Sequence, residues 1–239
     1  MKIQHIPSLF FPLLFLFLCI VASDALSKET VKAGLTVDKP FIYVKHEGHS
    51  IKVVRNQDPN AILTGYYAKT ARACPPFCLQ PMVVAPGVTT IGETELFTFM
   101  ETKLKDQQGI LIDARMPEWF RRGTIPGSIN IPFSTLKNPD SAEMKSALTR
   151  FGAKARGDVG SITLTFDRLM GDDEYKTEKW DFTDAKDLVL WCNSPQCGQS
   201  PRAIKYLLNA GYPASKIFYY RGGMQLWKLW GLTTVVPEK

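Results

Sequence analysis

Two short apolar runs in the second half of the chain constrain the fold most. They are Gly109-Ile-Leu-Ile-Asp113 and Asp187-Leu-Val-Leu-Trp191, and neither run alternates apolar with polar residues. A strand without such alternation is buried on both faces, which is typical of a parallel sheet covered by helices. Helical patterns lie between and after these runs, and the sequence therefore predicts an α/β fold, a parallel sheet flanked by helices.

The other predicted elements come from periodicity and from turn residues. Helices are expected at residues 90–106, 117–122, 140–150 and 200–210, and strands at 129–131, 162–166 and 217–220. The helix that follows the second apolar run has a clear start, because Ser200 can cap it and Pro201 fits its first turn.

The 239 residues divide into three segments of different character. Residues 1–25 are predicted to be a signal peptide, and residues 26–87 a small N-terminal β-rich extension with a hairpin around Gly48. Residues 88–239 contain the α/β pattern and are predicted to form one domain. A chain of this length can bury a core without disulfide bonds.

The first 25 residues have the pattern of a secretory signal. Lys2 precedes an apolar stretch over residues 9–22, and small residues follow it up to Ala25. The stretch is too short to cross a bilayer comfortably as a helix, so we expect cleavage and no stable membrane insertion afterwards. The sequence thus predicts an exported protein, in the periplasm or, as the alternative, secreted.

The charge balance helps to define the class of partner. Lys and Arg number 29 against 23 Asp and Glu, which gives a net charge of +6. The basic residues are scattered, without a run of five or six, so a nucleic acid is not the expected partner. The positive balance favours small anionic molecules instead.

Four cysteines remain after the predicted cleavage, in two close pairs. The pairs are Cys74 with Cys78 and Cys192 with Cys197. Because exported proteins meet an oxidising environment, a structural disulfide between Cys74 and Cys78 is the default interpretation. Spacing alone still allows three pairings among four cysteines. No metal and no cofactor is predicted.

The second pair occupies a position suited to thiol chemistry. Cys192 follows the second apolar run directly, at the edge of a parallel sheet where α/β proteins bind ligands. The N–H groups of a tight loop and of the helix that follows favour negative charge, which lowers the pKa of a thiol and stabilises an anion. The pattern therefore predicts a nucleophilic thiolate or a persulfide, against the alternative of a buried structural cysteine.

Three blocks in this part of the sequence, taken in order, resemble the rhodanese domain family over roughly residues 88–237. The blocks are Ile112-Asp-Ala-Arg115 with Glu118 and Gly123-Thr-Ile-Pro-Gly-Ser-Ile-Asn-Ile-Pro132; Leu190-Trp-Cys192 with Ser200, Ala203, Leu207 and Gly211; and Tyr220-Arg-Gly-Gly223 with Trp227 and Gly231. The resemblance implies that residues 88–239 form a rhodanese-like domain. It also implies a sulfurtransferase, which takes sulfane sulfur from a small donor, holds it as a cysteine persulfide, and passes it to a thiol or other nucleophile.

The resemblance also implies roles for individual residues. Cys192 is the expected carrier, and the backbone of the loop after it is expected to cradle the sulfur. Asp113 and Glu118 are expected to be structural, as part of a buried charge network that braces the first strand and helix. The residues expected to contact the substrate are Asn193, Ser194, Gln196, Gly198, Gln199, Ser200, Arg202 and Arg115.

The loop departs from the family pattern in ways that leave alternatives open. Ser200 lies eight positions after Cys192, the loop between them contains no Lys or Arg, and Cys197 is an extra thiol. Cys197 is therefore the alternative carrier, or a second thiol that attacks the persulfide. A thiol–disulfide oxidoreductase using both cysteines, and a non-catalytic binding module with its cysteines locked as disulfides, are the competing functions. The sequence does not identify the donor, the acceptor or the oligomeric state.

Overall fold

A five-stranded parallel sheet forms the centre of the computed structural model, which describes residues 31–171 and 174–238. The strands are β1 (Ile42–His46), β2 (His49–Val53), β3 (Thr89–Ile91), β4 (Gly109–Asp113), β5 (Ser128–Asn130), β6 (Lys154–Ala155), β7 (Trp180–Asp181), β8 (Asp187–Trp191) and β9 (Ile217–Tyr220). The central sheet has the order β3–β9–β8–β4–β5, and every pairing in it is parallel. This arrangement confirms the predicted α/β fold.

Helices cover both faces of the sheet. They are α1 (Glu93–Phe99), α2 (Pro117–Phe120), α3 (Ala142–Arg150), α4 (Ser161–Leu169), α5 (Gln199–Asn209) and α6 (Gly223–Leu229). A π-helical turn, Met100–Leu104, continues α1, and 3-10 turns occur at Gly65–Ala68, Phe133–Leu136 and Ala214–Lys216. The helices at 140–150 and 200–210 are thus confirmed to within two residues. Ser200 does not cap the second helix as expected, because it lies inside α5, whose N-cap is Gly198, and its hydroxyl donates to the Cys192 thiol instead.

Two apolar clusters explain why the two runs of the sequence contain no polar alternation. Ile112 and Leu190 point into one cluster, with residues of α3 and α5. Their neighbours Leu111 and Val189 point into the other, with residues of α1 and α6. Each fully buried aliphatic side chain contributes about 1.5–3 kcal/mol, so both faces of β4 and β8 stabilise the sheet.

The N-terminal extension adds to the second cluster. β1 and β2 pair antiparallel, as predicted, around a turn in which Glu47 and Gly48 both have positive φ. The hairpin contributes three buried side chains to the cluster that contains Leu111 and Val189, namely Ile42, Val44 and Val53. The extension therefore covers part of one face of the central sheet.

Two elements differ from their predictions. Residues 162–166 were expected to be a strand but lie within α4. Asp167 of this helix is buried, and its carboxylate forms an ion pair with the Arg156 guanidinium at 2.8 Å, which holds the helix in place. The helix expected from residue 90 begins at Glu93, because Thr89–Ile91 pairs with β9 as an edge strand. The Gly92 N–H then donates to the Glu95 carboxylate (2.9 Å), which marks the true start of the helix.

The predicted signal peptide, residues 1–25, lies outside the residues that the structure describes. Within the described residues, none of the helices combines the length and the apolar character that crossing a bilayer requires.

Candidate active site

The loop between β8 and α5 leaves the sheet at the carboxyl end of its central strand. The first turn of α6 fixes the first two residues of this loop: the Met224 N–H donates to the Cys192 carbonyl, and the Gln225 N–H donates to the Asn193 carbonyl, both at 2.9 Å. Gly223 makes this approach feasible, since its φ is +56° and a Cβ there would collide with the Cys192 carbonyl. The site therefore lies at the edge of the sheet that the sequence predicts.

Cys192, the first residue of the loop, is covered by the residues that follow it. Its side chain is 2% exposed; the thiol donates to the Cys197 carbonyl (3.3 Å) and accepts a hydrogen bond from the Ser200 hydroxyl (3.0 Å). Burial, together with the adjacent Cys197 thiol, raises the pKa of Cys192 well above its usual value, and the hydrogen bond from Ser200 opposes this only in part. Cys192 is therefore held as a neutral thiol.

Cys197 lies on the outer loop, which we define as residues 194–198. It is 8% exposed and lines a pocket of about 250 Å³. A hydrogen bond with the Cys192 thiol lowers the pKa of Cys197 to about 7, and the backbone N–H groups of Gln199 and Asn193 and the charge of Arg115 act in the same direction against burial. Cys197 is therefore the more acidic thiol and the one in contact with the pocket.

A buried arginine supports the loop from below. The Arg115 guanidinium forms two hydrogen bonds to the Asp113 carboxylate, at 2.8 and 2.6 Å. Its other N–H groups donate to the Tyr67 hydroxyl (3.1 Å), the Asn193 side-chain oxygen (3.4 Å) and the Gly123 carbonyl (2.7 Å). All five donors of the guanidinium are thus occupied. The substrate-binding role expected of Arg115 is at odds with this geometry, because no donor is left for an anion.

The two residues expected to be structural have different environments. Asp113 is buried, and besides Arg115 it accepts a hydrogen bond from the Thr124 hydroxyl at 3.0 Å. Glu118 is exposed on α2, so the expectation that it belongs to a buried charge network is wrong. The short helix directs this side chain to solvent, away from the strand end.

Most of the predicted loop residues meet at the pocket. Ser200 is the exception, because it is buried and bonded to Cys192 rather than open to the pocket. The predicted residues that line the pocket are Asn193, Ser194, Gln196, Cys197, Gly198, Gln199 and Arg202.

Sequence reasoning missed the opposite wall of the pocket. This wall is formed by Tyr66, Arg72, Pro76, Phe77 and Trp119. Four of these residues come from the irregular end of the N-terminal extension, where the Sγ atoms of a predicted disulfide pair lie at bonding distance. The one sequence signal was an arginine and aromatic residues close to that pair.

Comparison with known protein families identifies the type of domain. The sequence model described as Rhodanese-like domain matches residues 99–229, which is more than half of the chain. A search of curated proteins found no match.

Solved structures give further similarities. The chain is 25% identical to a human single-domain sulfurtransferase, with a TM-score of 0.35, covering 59% of this chain and 96% of that one. A rhodanese-related protein from Thermoplasma volcanium is 19% identical, with a TM-score of 0.36 and coverage of 62% and 99%. A single-domain sulfurtransferase from Saccharomyces cerevisiae is 16% identical, with a TM-score of 0.34 and coverage of 59% and 89%.

Proposed function

The protein belongs to the rhodanese-like domain family, and from that premise we propose that it is a sulfurtransferase that carries sulfane sulfur as a cysteine persulfide on the loop after β8. We propose Cys197 as the carrier. The observation that supports this choice is that Cys197 lines the open pocket, whereas Cys192 lies beneath it. The sequence favoured Cys192 because that residue ends the strand.

The transfer takes two steps. The Cys197 thiolate attacks the sulfane sulfur of the donor, the bond between that sulfur and the rest of the donor breaks, and the donor residue leaves with the electron pair. An acceptor thiolate then attacks the outer sulfur of the persulfide and regenerates the Cys197 thiolate. The N–H groups of Asn193 and Gln199, which already favour a negative charge on Cys197, would stabilise the anionic persulfide in the same way.

Persulfide trapping tests the proposal. Reduced wild-type protein is incubated with thiosulfate, and intact mass with peptide mapping locates any added sulfur atom. Cys197→Ser is expected to abolish the adduct, and the matched variant Cys192→Ser to keep it. Loss in Cys192→Ser alone would make Cys192 the carrier. An unlabelled wild-type protein would favour the non-catalytic binding module.

A second candidate function follows from the contact between the two thiols. The Cys192 thiol donates to the Cys197 carbonyl (3.3 Å), and both cysteines are free thiols. The Cys192 thiol can attack the inner sulfur of a Cys197 persulfide, which forms the Cys192–Cys197 disulfide and releases hydrosulfide; an external thiol then reduces the disulfide. Release of sulfide without an added acceptor, lost in Cys192→Ser, would favour this oxidoreductase.

We also propose that the protein is exported, to the periplasm or the medium. The signal pattern of residues 1–25 supports export, and so does the Cys74–Cys78 pair, since disulfides persist in oxidising compartments. Cell fractionation, with N-terminal sequencing of the mature chain, tests this. We expect a chain that begins after Ala25; an uncleaved chain in the cytoplasm would refute it.

A further inference from the structure

Most of one wall of the pocket over Cys197 comes from outside the family-matched residues, and Trp119 is the member of that wall that lies within them. We call residues 66–80 the arm; it precedes the matched range 99–229. The Tyr67 hydroxyl donates to the Asn193 side chain (3.2 Å), and the Gln225 side chain donates to the Tyr67 carbonyl (2.8 Å). At the other end of the arm, the Gln80 N–H donates to the Pro195 carbonyl (2.8 Å). The arm is therefore fixed against the loop that carries both thiols.

Two arginines face the pocket, Arg72 from the arm and Arg202 from the first turn of α5. Among the described residues that line the pocket, none is acidic. Two cations without a lining carboxylate attract anions, and a concave site strengthens that attraction. The positive charge that the loop itself lacks is thus supplied from both sides of it.

The Arg72 guanidinium is oriented by aromatic rings. It lies 3.9 Å from the centroid of the Tyr66 ring and 5.0 Å from that of Phe77, and it donates to the Tyr66 carbonyl. Stacking of this kind occupies the faces of the guanidinium and leaves its edge for hydrogen bonds. Arg72 therefore differs from Arg115, whose five donors are all used by the protein.

The rest of the arm side is apolar. The rings of Tyr66 and Trp119 pack at 4.5 Å between centroids, and Phe77 lines the pocket beside them. Aromatic walls contribute little to binding a fully hydrated inorganic anion but stabilise an organic group placed against them. With about 250 Å³ available, the pocket has room for both parts of an organic anion.

We propose that the arm is part of the substrate site, in which Arg72 and Arg202 bind the anionic group of the sulfur donor and the aromatic rings contact its organic substituent. The substrate class is an organic anion that carries sulfane sulfur, such as a thiosulfonate. The inference rests on the proposed function for its chemistry. The Cys197 thiolate attacks the outer sulfur of the thiosulfonate, the bond between the two sulfur atoms of the donor breaks, and a sulfinate leaves. Thiolate and thiosulfonate carry two negative charges in total, as do the persulfide anion and the sulfinate that form.

Equilibrium binding tests the inference separately from sulfur transfer. Calorimetry uses Cys197→Ser, in which no transfer to residue 197 can occur, with benzenethiosulfonate and thiosulfate as probes. Benzenethiosulfonate is expected to bind more tightly than thiosulfate. Adding Arg72→Gln is expected to weaken its binding about tenfold, since one charge-assisted contact is lost. Adding Lys69→Gln, which removes an exposed charge of the arm outside the pocket, is the matched control and is expected to change nothing.

Two further variants protect the test against misfolding. Arg72→Lys keeps the charge and is expected to recover part of the affinity. Arg202→Gln alters an exposed side chain on α5 and is expected to weaken binding severalfold with an unchanged melting temperature. Equal affinity for the two probes would overturn the role of the rings. Unchanged binding in both arginine variants, or an equal loss in Lys69→Gln, would overturn the role of the arm.

The two proposals fail in different ways. If wild-type protein takes up sulfur at Cys197 but binding does not depend on Arg72 or Arg202, the inference about the arm is wrong and the sulfurtransferase remains. If binding depends on Arg72 but wild-type protein takes up no sulfur, the proposed transfer is wrong and the anion site remains.

Discussion

The strand end at Cys192 and the outer loop at Cys197 lie five positions apart and place their thiols in opposite environments. Cys192 is covered and hydrogen-bonded from two sides, and burial raises its pKa. Cys197 has the lowered pKa, and a hydrogen bond with Cys192 is the largest cause. The covered thiol thus keeps its proton, and its proximity to Cys197 favours the ionised form of the outer thiol. In this loop the thiol at the strand end is covered and protonated, whereas the outer thiol lines the pocket and has the lowered pKa.

The largest effect is expected from the buried ion pair of Arg115 and Asp113, which lies beneath the loop. Asp113→Asn removes the charge that pairs with buried Arg115 and leaves that arginine uncompensated. We expect the free energy of unfolding to fall by about 3–5 kcal/mol, measured by urea denaturation. Gln199→Ala, near the outer loop, is the control and is expected to stay within about 0.5 kcal/mol of wild type. If both variants lost the same free energy of unfolding, the buried ion pair would be no more important for stability than the residues near the outer loop.

The next effect concerns reactivity. At pH 7 the pKa of Cys197, about 7, gives a half-ionised thiol, whereas the raised pKa of Cys192 keeps it protonated. Iodoacetamide is therefore expected to modify Cys197 on the order of 100-fold faster than Cys192 in the native protein. Peptide mapping of a time course measures both rates. Faster labelling of Cys192 would reverse the comparison.

The smallest effect concerns the coupling between the thiols. Because the pKa of Cys197 lies below the usual value, its alkylation rate should rise with pH through about 7 and level off above it. Cys192→Ala removes the hydrogen bond that lowers this pKa, so the midpoint should move upward and the rate at pH 7 should fall, by about tenfold at most. Cys192→Ser keeps a hydroxyl donor and should shift the midpoint less. An unchanged midpoint in Cys192→Ala would mean that the backbone N–H groups alone acidify Cys197.

The parts of the fold that the sequence predicts well are those encoded locally. The residues of β4 and β8 are buried on both faces, and their continuous apolar runs indicate this directly. By contrast, β3 exists because Thr90 pairs with Tyr219, far along the chain, and its three residues are equally compatible with the start of a helix. At residues 161–169 a helix was mistaken for a strand. Apolar and polar residues alternate there over only five positions, which does not exclude a helix whose Asp167 pairs with Arg156.

The site divides in the same way. Its position after β8, and the residues of the loop, follow from the sequence, because the loop between a parallel strand and the helix after it lies at the carboxyl edge of the sheet. Which thiol faces the pocket depends on the turn that Cys197 makes back to the Ser194 carbonyl (2.9 Å), and residue types alone do not determine that turn. The arm depends on a contact between Tyr67 and Asn193 across 126 positions, which no local pattern encodes.

The packing of the β1–β2 hairpin has a practical consequence for work with this protein. A fragment trimmed to the recognisable family range, residues 99–229, would lose Ile42, Val44 and Val53 from the cluster around Leu111. It would also lose the pocket residues of the arm, which are Tyr66, Arg72, Pro76 and Phe77. The smallest portion worth expressing, crystallising or grafting into another protein is therefore longer at its amino end than family boundaries indicate, and has to begin before residue 42.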